Sequence, residues 1–177
     1  RSIDIQITEK CSMNCESCAN LMQYYVAQKN TDEDILKAVK ILSENVDHIS
    51  EYRIIGGEPL MNKNWAKITK GVIDQDPNRS VYIYSNGTIC PKDEQLEIFH
   101  GKKLNFYLTD YDDLSRNMEK VVKILAKHGI GFYRKPAGNW VDCSRIKKHN
   151  RSTKQLKQVF KECCATALYT LLSGKLY

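Results

Sequence analysis

Short apolar segments alternate with amphipathic segments along most of the chain, and this alternation restricts the fold more than any other feature. Ile3, Ile5 and Ile7 alternate with polar residues, the two-residue period of a strand that faces a core on one side. Further strand segments are predicted at 52–55, 81–84, 104–108 and 130–133. Strands separated by helices favour parallel pairing through right-handed crossovers. The sequence therefore predicts an α/β fold, either an open doubly wound sheet or a barrel, which periodicity does not separate.

Helices are predicted between these strands. The capping signal Thr31-Asp32-Glu33-Asp34 precedes the first of them. Apolar side chains spaced three or four apart predict the others around 65–72, 94–99 and 114–125. With 177 residues, 42% hydrophobic and 27% charged, the composition is that of one soluble catalytic domain with a small appendage.

Three cysteines, Cys11, Cys15 and Cys18, lie on one short loop directly after the first strand. A [4Fe–4S] cluster takes four ligands, so a loop that provides three thiolates leaves one iron open to a small molecule. The alternatives are a zinc site or three unrelated buried thiols. Zinc usually requires a second ligand pair at a distance, and the sequence has no further CxxC or HxxxH pair.

The segment Gly56-Gly57-Glu58-Pro59-Leu60 comes at the end of the second strand. Glycines there allow the backbone to approach a ligand closely. By itself the segment also fits an ordinary turn, in which glycine provides a positive φ and proline ends the strand.

Together, the cysteine loop and this glycine turn resemble the radical S-adenosylmethionine (radical SAM) enzymes. The resemblance implies that Cys11, Cys15 and Cys18 hold a [4Fe–4S] cluster whose fourth iron chelates S-adenosylmethionine. It also implies that Gly56, Gly57 and Glu58 form the site for the methionine amine. Reduction of the sulfonium would then give a 5′-deoxyadenosyl radical that abstracts hydrogen from a substrate.

The resemblance also decides between the two folds and marks one departure. It implies a partial (β/α)6 barrel of the TIM type, with the cluster loop after the first strand and the chemistry at the carboxyl ends of the strands. About five such units precede residue 140. Family members usually carry an aromatic residue just before the third cysteine, close to the adenine, whereas this chain has Ser17.

Further cofactor contacts follow from position alone. Ser85 and Asn86 end the third strand, where the family's turn faces the nucleoside, and Thr109 ends the fourth, where a hydroxyl often bonds the ribose. A Ser-Asn-Gly turn that closes a strand needs no ligand, so the turn alone explains Ser85 equally well. Arg134 is a candidate for the methionine carboxylate and Arg116 its alternative, although both also fit ordinary surface arginines.

The tail resembles the start of a SPASM or twitch extension, whose pattern is Cys-x9–15-Gly-x4-Cys. Cys164 is followed by nine residues and Gly174, and the next cysteine would fall two residues beyond Tyr177. We therefore expect the chain to be part of a longer protein, with a core at 1–140 and the start of an extension at 141–177. Cys164 and Cys143 are candidate ligands of an auxiliary [4Fe–4S] cluster. The alternative is a buried Cys163-Cys164 pair in a helix and an apolar Cys143.

Charge and hydropathy narrow the partners and the compartment. The net charge is +6, with a basic cluster at 145–151 and lysines at 154, 157 and 161. Such a surface could attract nucleic acid or an acidic protein, but no nucleic-acid-binding motif accompanies it, so a solvated helix face is favoured. No apolar stretch reaches the roughly 18 residues that span a bilayer, and Arg1–Asp4 forms no signal peptide. A reducing cytoplasmic location is expected for the cluster thiolates.

The leading hypothesis is therefore a radical SAM enzyme that reductively cleaves S-adenosylmethionine and takes hydrogen from a substrate at the barrel mouth. A twitch extension would indicate a small-molecule dehydrogenase, and a SPASM extension an enzyme that modifies peptides or proteins. An electron donor such as flavodoxin or ferredoxin is implied in both cases. The alternative from another class is a non-catalytic iron–sulfur or zinc module that binds a protein partner through its basic face. No side chain is assigned to the hydrogen transfer itself.

Overall fold

A computed structural model describes residues 1–24, 31–138, 148–163 and 165–177. Seven strands form one sheet, in the spatial order β5-β4-β3-β2-β1-β6-β7. The strands are β1 (Ser2–Gln6), β2 (Glu51–Ile55), β3 (Ser80–Ser85), β4 (Leu104–Asp110), β5 (Gly131–Pro136), β6 (Leu168–Leu172) and β7 (Lys175–Leu176). β1 to β6 pair in parallel, and β7 pairs antiparallel with β6. β5 and β7 are the two edges, so the sheet is an open, partial barrel, as expected.

Helices connect the parallel strands. They are α1 (Asp32–Asn45), α2 (Trp65–Gln75), α3 (Asp93–Glu97), α4 (Met118–Lys127) and α5 (Thr153–Glu162). α1 begins as the capping signal predicts, because the Thr31 hydroxyl accepts from the Asp34 N–H and the Asp34 carboxylate accepts from the Thr31 N–H. Within the described residues, no helix has both the length and the apolar character that a membrane crossing requires.

The apolar core lies between the sheet and helices α1 to α4, on what we call the outer face of the sheet. Ile5, Ile54 and Phe106 from the strands are buried there. The ring of Trp65 stacks on Phe99 with centroids 6.0 Å apart and meets Phe106 edge-on at 6.2 Å. This packing leaves the opposite, inner face of the strands for the site.

The burial of β1 differs from the sequence prediction. The alternation of Ile3, Ile5 and Ile7 predicted one face in the core, but the polar residues between them are also buried, with Asp4 4% and Gln6 5% exposed. β1 lies between β2 and β6, so both of its edges and both of its faces are covered. Parallel strands in α/β folds are commonly buried on both faces.

Of the two strands that the sequence analysis did not predict, β6 and β7, β6 is the one that pairs with β1. It pairs with the opposite edge of β1 from β2, with Ser2 aligned to Leu168. The proposed division into a core of 1–140 and an extension of 141–177 thus does not separate two sheets. Gly174 lies in the turn between β6 and β7 with a φ of 71°.

Candidate active site

The three cysteines of the loop after β1 line one small cavity, which we call the thiol cavity. Its volume is about 260 Å³, and Cys11, Cys15 and Cys18 contribute to its wall together with Glu9 and Met22. Burial raises the pKa of Cys11, and the neighbouring Glu58 and the other two cysteines raise it further. Burial and then Cys18 raise the pKa of Cys15. The structure therefore brings the three sulfurs close enough to influence one another.

Zinc and an iron–sulfur cluster require different arrangements of thiols. Zinc holds its sulfur ligands at about 2.3 Å in a tight tetrahedron. Among the described residues, no three His, Cys, Asp or Glu side chains are grouped closely enough to hold one metal ion. Thiols distributed around a cavity suit an iron–sulfur cluster, which spreads its cysteines over different iron atoms.

The glycine turn after β2 is in direct contact with the cysteine loop. The Gly57 N–H donates to the Thr8 carbonyl at 3.1 Å, and the Glu58 N–H donates to the Lys10 carbonyl at 2.8 Å. A Cβ on Gly56 would lie 2.6 Å from the Thr8 oxygen, and one on Gly57 would lie 2.5 Å from the Lys10 oxygen. Neither glycine has a positive φ, so close approach, not turn conformation, requires them.

The same turn borders a neighbouring space. Gly56 and Gly57 line a cavity of about 330 Å³, which we call the inner cavity. In the described part of the chain, no hydrogen bond ends on the carbonyl oxygen of either glycine. Carbonyl oxygens are suited to accept from an ammonium group. That this turn holds the methionine amine stays a prediction.

The Glu58 side chain does not face this cavity. Its carboxylate is fully buried and accepts from the N–H groups of Asn86 at 2.8 Å and Leu60 at 3.2 Å, and from the Ser85 hydroxyl. Burial raises the pKa of Glu58 to about 7, against the opposing effect of these hydrogen bonds. The side chain thus joins the turn after β2 to the turn after β3, and it does not line the inner cavity, where the predicted contact with the methionine amine would lie.

Asn86, directly after β3, forms hydrogen bonds with the cysteine loop. Its Nδ2 donates to Ser12 Oγ at 3.1 Å and lies 4.0 Å from Cys11 Sγ. Its Oδ1 accepts from the N–H and the hydroxyl of Thr88, and its carbonyl accepts from the Ser115 hydroxyl at 2.7 Å. The Ser-Asn-Gly turn of the alternative interpretation is present, with Gly87 at a φ of 70°. The turn also contacts the cysteine loop, and Ser85 and Asn86 both line the inner cavity.

The carboxyl end of β4 contributes Thr109 and Tyr111, and both line the inner cavity. Tyr111 also lines a second space of about 580 Å³, the outer cavity, on the other side of the cysteine loop. Ser17 and Cys15 border the outer cavity, and so does Arg116. Tyr111 thus lines the same cavity as Ser17, the position where family members usually carry an aromatic residue. No sequence pattern indicates this neighbour.

Arg134 does not join the other predicted cofactor residues. It is aligned with Leu108, whose side chain lies in the core on the outer face, whereas the next residue, Lys135, is aligned with Thr109. The Arg134 guanidinium pairs with Asp110 at 2.7 Å and with Glu119 at 2.7 Å. Alternation along β5 therefore turns Arg134 away from the inner cavity, and only the alternative, Arg116, lies beside the cysteine loop.

Sequence reasoning missed the buried charges on the inner face. Asp4 Oδ1 lies 2.9 Å from Arg53 Nε, and the Arg53 guanidinium lies over the ring of Tyr84 at 4.4 Å from its centroid. Burial raises the pKa of Asp4 to about 6, although Arg53 opposes this shift. All three residues line the inner cavity. The sequence did contain one indication. A central parallel strand has no solvent-facing side, so the polar residues that alternate with isoleucines in β1 had to be buried as well.

The candidate auxiliary-cluster ligands, Cys143 and Cys164, lie outside the described residues, and their role stays a prediction. Cys163 is exposed and follows α5 directly. Its sulfur accepts from the Ala165 N–H at 3.4 Å. The alternative of a buried Cys163-Cys164 pair is therefore wrong for Cys163.

Comparison with solved structures agrees with this architecture. The anSMEcpe structure with bound AdoMet superposes with a TM-score of 0.57 and 15% identity, covering 75% of this chain and 42% of that one. BtrN in complex with AdoMet and 2-DOIA superposes with a TM-score of 0.56 and 14% identity, covering 97% of this chain and 69% of that one. At these identities the likeness is one of fold.

Comparison of sequences identifies the family. A GTP 3′,8-cyclase from Syntrophomonas wolfei is 26% identical over 139 residues, which are 68% of this chain and 41% of the relative. The chain thus spans less than half the length of that relative. The family model of the radical SAM superfamily matches residues 5–135, from β1 to β5. The chain therefore belongs to the radical SAM superfamily, whose enzymes hold a [4Fe–4S] cluster and S-adenosylmethionine.

Proposed function

We propose that this chain is the catalytic core of an enzyme that reductively cleaves S-adenosylmethionine and uses the resulting radical to abstract hydrogen from a small molecule. One observation carries the proposal: three thiols from one loop line a single cavity, and the loop rests on glycines that no larger residue could replace. A non-catalytic module would need the thiols alone. It would not require two glycines that line an adjacent cavity.

Each group around the two cavities has a distinct task in this proposal. The bound cluster supplies the electron that breaks the sulfonium. Cys11, Cys15 and Cys18 hold the cluster, and the carbonyls of Gly56 and Gly57 accept from the methionine amine.

We assign the nucleoside to the same cavities. In this proposal Thr109 bonds the ribose, and the ring of Tyr111 stacks on the adenine. Stacking of a base on an aromatic ring contributes about 1–3 kcal/mol. Tyr111 lies between the inner and outer cavities, so a nucleoside bound against it would have its methionine on the side of the glycine turn.

A small-molecule substrate is favoured by the polar lining of the inner cavity, where Asp4 is buried and Arg53 is half-buried. The name of the curated relative makes GTP the first substrate to test. A dehydrogenase with a twitch extension remains the reaction class that we favour. A SPASM-type maturase is the second candidate, and the glycine turn between β6 and β7 at Gly174, ten residues after Cys164, is the observation that favours an auxiliary-cluster extension.

The partners and the compartment follow from the same chemistry. The cluster must be reduced by a one-electron carrier such as flavodoxin or ferredoxin. α5 carries Lys154, Lys157 and Lys161 on an exposed helix, a surface suited to an acidic carrier. Thiolates that must stay unoxidised require a reducing compartment such as the cytoplasm.

The test is anaerobic reconstitution of the full-length protein with iron and sulfide, followed by dithionite and S-adenosylmethionine. We expect a bound cluster and release of 5′-deoxyadenosine. Cys15→Ala should abolish both, whereas Cys90→Ala, which removes a half-buried cysteine outside the site, should retain both. A cluster-replete wild-type protein that releases no 5′-deoxyadenosine would refute the proposed function.

A further inference from the structure

α5 carries an apolar stripe that the described chain leaves uncovered. Leu156, Val159 and Phe160 share one side of the helix and are 53%, 46% and 69% exposed. None of the other residues of α5 is buried either. Helices shorter than about 12–15 residues are marginal in water without tertiary packing. A helix of 10 residues with such a stripe therefore requires a surface to pack on.

A second uncovered apolar surface lies between α1 and the hairpin of β6 and β7. It is a groove of about 410 Å³, which we call the α1 groove. Ile41 and Leu176 in its wall are 54% and 45% exposed. Asp34 and Lys37 also line it, so the wall has no net charge. Its apolar side chains are Ala38, Ile41, Leu42, Val46, Leu171 and Leu176. Contiguous exposed apolar side chains of this kind mark binding surfaces.

The helix and the groove match in length. The groove follows α1 from Asp34 to Val46, which at about 1.5 Å per residue is a length of about 18 Å. α5 is about 15 Å long on the same basis. Side chains at positions i, i+3 and i+4, as in the stripe, are those that an amphipathic helix inserts into an apolar groove. The stripe of α5 therefore fits a groove of the dimensions of the α1 groove.

The charges of the two helices are also complementary. α1 carries four acidic and two basic side chains, whereas α5 carries three basic and one acidic. At about 100° per residue, Lys154, Lys157 and Lys161 lie on the side of α5 opposite the stripe, so inserting the stripe buries no lysine. Opposite net charges favour the approach of the two surfaces.

The connection from α5 to β6 disfavours insertion of the helix into the groove of its own chain. The Thr166 N–H donates to the Cys163 carbonyl at 3.4 Å, and the Leu168 N–H donates to the Ala165 carbonyl at 3.0 Å. The Arg1 guanidinium donates to the Thr166 carbonyl at 3.3 Å. These bonds set the direction in which α5 leaves the sheet, and redirecting the helix would break them. A second copy brings its groove to the helix without such a change.

We propose that the chain forms a two-fold dimer in which α5 of each copy lies in the α1 groove of the other copy. Reciprocal insertion covers both apolar surfaces of both copies and closes the assembly at two, whereas one-way insertion gives rings or filaments. Ser173 of the hairpin also lines a cavity of about 580 Å³ together with Asn20 and Leu21, directly after the cysteine loop. The inserted helix thus packs on a hairpin that borders the site. No cofactor takes part in the contact, so the dimer does not depend on the proposed function.

The first test is sedimentation equilibrium of the cluster-loaded full-length protein over a wide range of concentrations. We expect an equilibrium between monomer and dimer. Phe160→Ala should raise the dissociation constant about tenfold or more, because large aromatic anchors are commonly the strongest contacts of an interface. Gln158→Ala is the matched control on the same helix. Gln158 lies on the side opposite the stripe and bonds to Glu162 within α5, so this variant should dimerise as the wild type does.

The groove is tested by Val46→Asn, with Ile98→Asn as its matched control. Each residue is the C-cap of a helix, α1 or α3, and the two are 39% and 38% exposed. Val46 lines the α1 groove and Ile98 does not. Val46→Asn should weaken the dimer about tenfold, whereas Ile98→Asn should leave it unchanged. Phe160→Ala keeps the test valid if Val46→Asn does not fold, because Phe160 is exposed.

A photo-cross-linker identifies the copy that receives the helix. Benzoylphenylalanine at position 160 is irradiated in a mixture of isotope-labelled and unlabelled protein. We expect cross-links between copies, to peptides from 34–46 or 171–176. Cross-links only within one copy, a monomer at every concentration, or a dimer that either Phe160→Ala or Val46→Asn leaves unchanged would overturn the proposal. A monomer that sediments with phosphatidylglycerol vesicles through Phe160 would also overturn it and assign the stripe to an anionic membrane surface.

Discussion

At the scale of the residue, the site requires a position without a side chain. Gly57 has no side chain because the Lys10 carbonyl and the Cys11 Cβ occupy the space where a Cβ would be, at 2.5 and 2.6 Å. The sequence indicated that glycine was needed at this turn. It did not indicate the reason, since contact with a loop some forty-five residues earlier is a tertiary property.

Gly57→Ala should therefore reduce cluster loading. The added methyl group would displace the cysteine loop, and overpacking of this kind typically costs about 1–3 kcal/mol. Iron and sulfide per chain after anaerobic reconstitution measure the effect. Gly138→Ala is the control, because a Cβ there meets nothing within 4 Å. Equal iron content in the two variants would contradict the role assigned to Gly57.

Tyr111 offers a complementation test with Ser17. Tyr111→Leu should weaken binding of S-adenosylmethionine to the cluster-loaded protein about tenfold, as expected for loss of base stacking. Ser17→Phe introduced into that variant should restore part of the affinity, because both positions border the outer cavity. Equilibrium dialysis against labelled cofactor measures both. Unchanged affinity in Tyr111→Leu would remove this ring from the adenine site.

Glu58 makes the stability of the fold depend on pH. Its pKa is about 7 in the folded state, above the ordinary value of 4.5. The folded state therefore holds the proton more tightly than the unfolded state, and the stabilisation present below pH 4.5 is lost as the pH rises through 7. The loss is on the order of 3 kcal/mol at about 1.4 kcal/mol per pKa unit.

Glu58→Gln should flatten this dependence, and it keeps an acceptor for one of the two N–H groups, Asn86 or Leu60, which bond to different oxygens of the Glu58 carboxylate. Urea unfolding at about pH 5 and about pH 8 measures it. A smaller decline in the same direction should remain from Asp4, whose pKa is raised to about 6. An unchanged decline in Glu58→Gln would show that Glu58 does not titrate in this range.

At the scale of the element, local signals in the sequence were sufficient for five strands and their intervening helices. The Ile alternation, the Thr31 capping signal and the strand-ending turns are all local features, and β1 to β5 follow them. β6 at Leu168–Leu172 has no such alternation, and its place beside β1 depends on pairing across 166 residues, from Ser2 to Leu168. The same limit hid the Asp4–Arg53 pair, which only the alignment of β1 with β2 brings together.

Thr31→Ala tests the best-defined helix start. Loss of the cap should lower the free energy of unfolding by about 1 kcal/mol, the usual effect of removing an N-cap. Ser152→Ala removes the equivalent cap from α5, which has no buried residue, and should change global unfolding less. Chemical denaturation of both variants provides the comparison. A larger effect from Ser152→Ala would mean that α5 contributes more to the fold than its exposure indicates.

At the scale of the whole molecule, the sheet is closed on neither side, and β6 covers the edge of β1 that β2 leaves open. Leu171 is the buried residue of that strand, at 6% exposure. The site itself is built from the turns after β1 to β4, so its location was predictable once parallel strands were inferred. The charged groups of the site were not predictable, because the Asp4–Arg53 pair forms only when β1 and β2 lie side by side.

Leu171→Ala should lower the free energy of unfolding by about 2–5 kcal/mol, the range for large-to-small changes in a core. Leu176→Ala, at the exposed position aligned with Leu171 on β7, is the matched control and should have little effect. Thermal or urea unfolding of the two variants distinguishes them. Equal and small effects would mean that β6 is not part of the cooperative unit.

The position of β6 affects how the chain folds during its synthesis on the ribosome. β1 is synthesised before β6, and the neighbour that completes it arrives more than 160 residues later. In the interval, a nascent chain carries an uncovered parallel edge beside the unloaded cysteines, and such edges recruit foreign strands. Stalled or prematurely ended translation products that lack residues 168–172 should consequently be the species that aggregate and require chaperones.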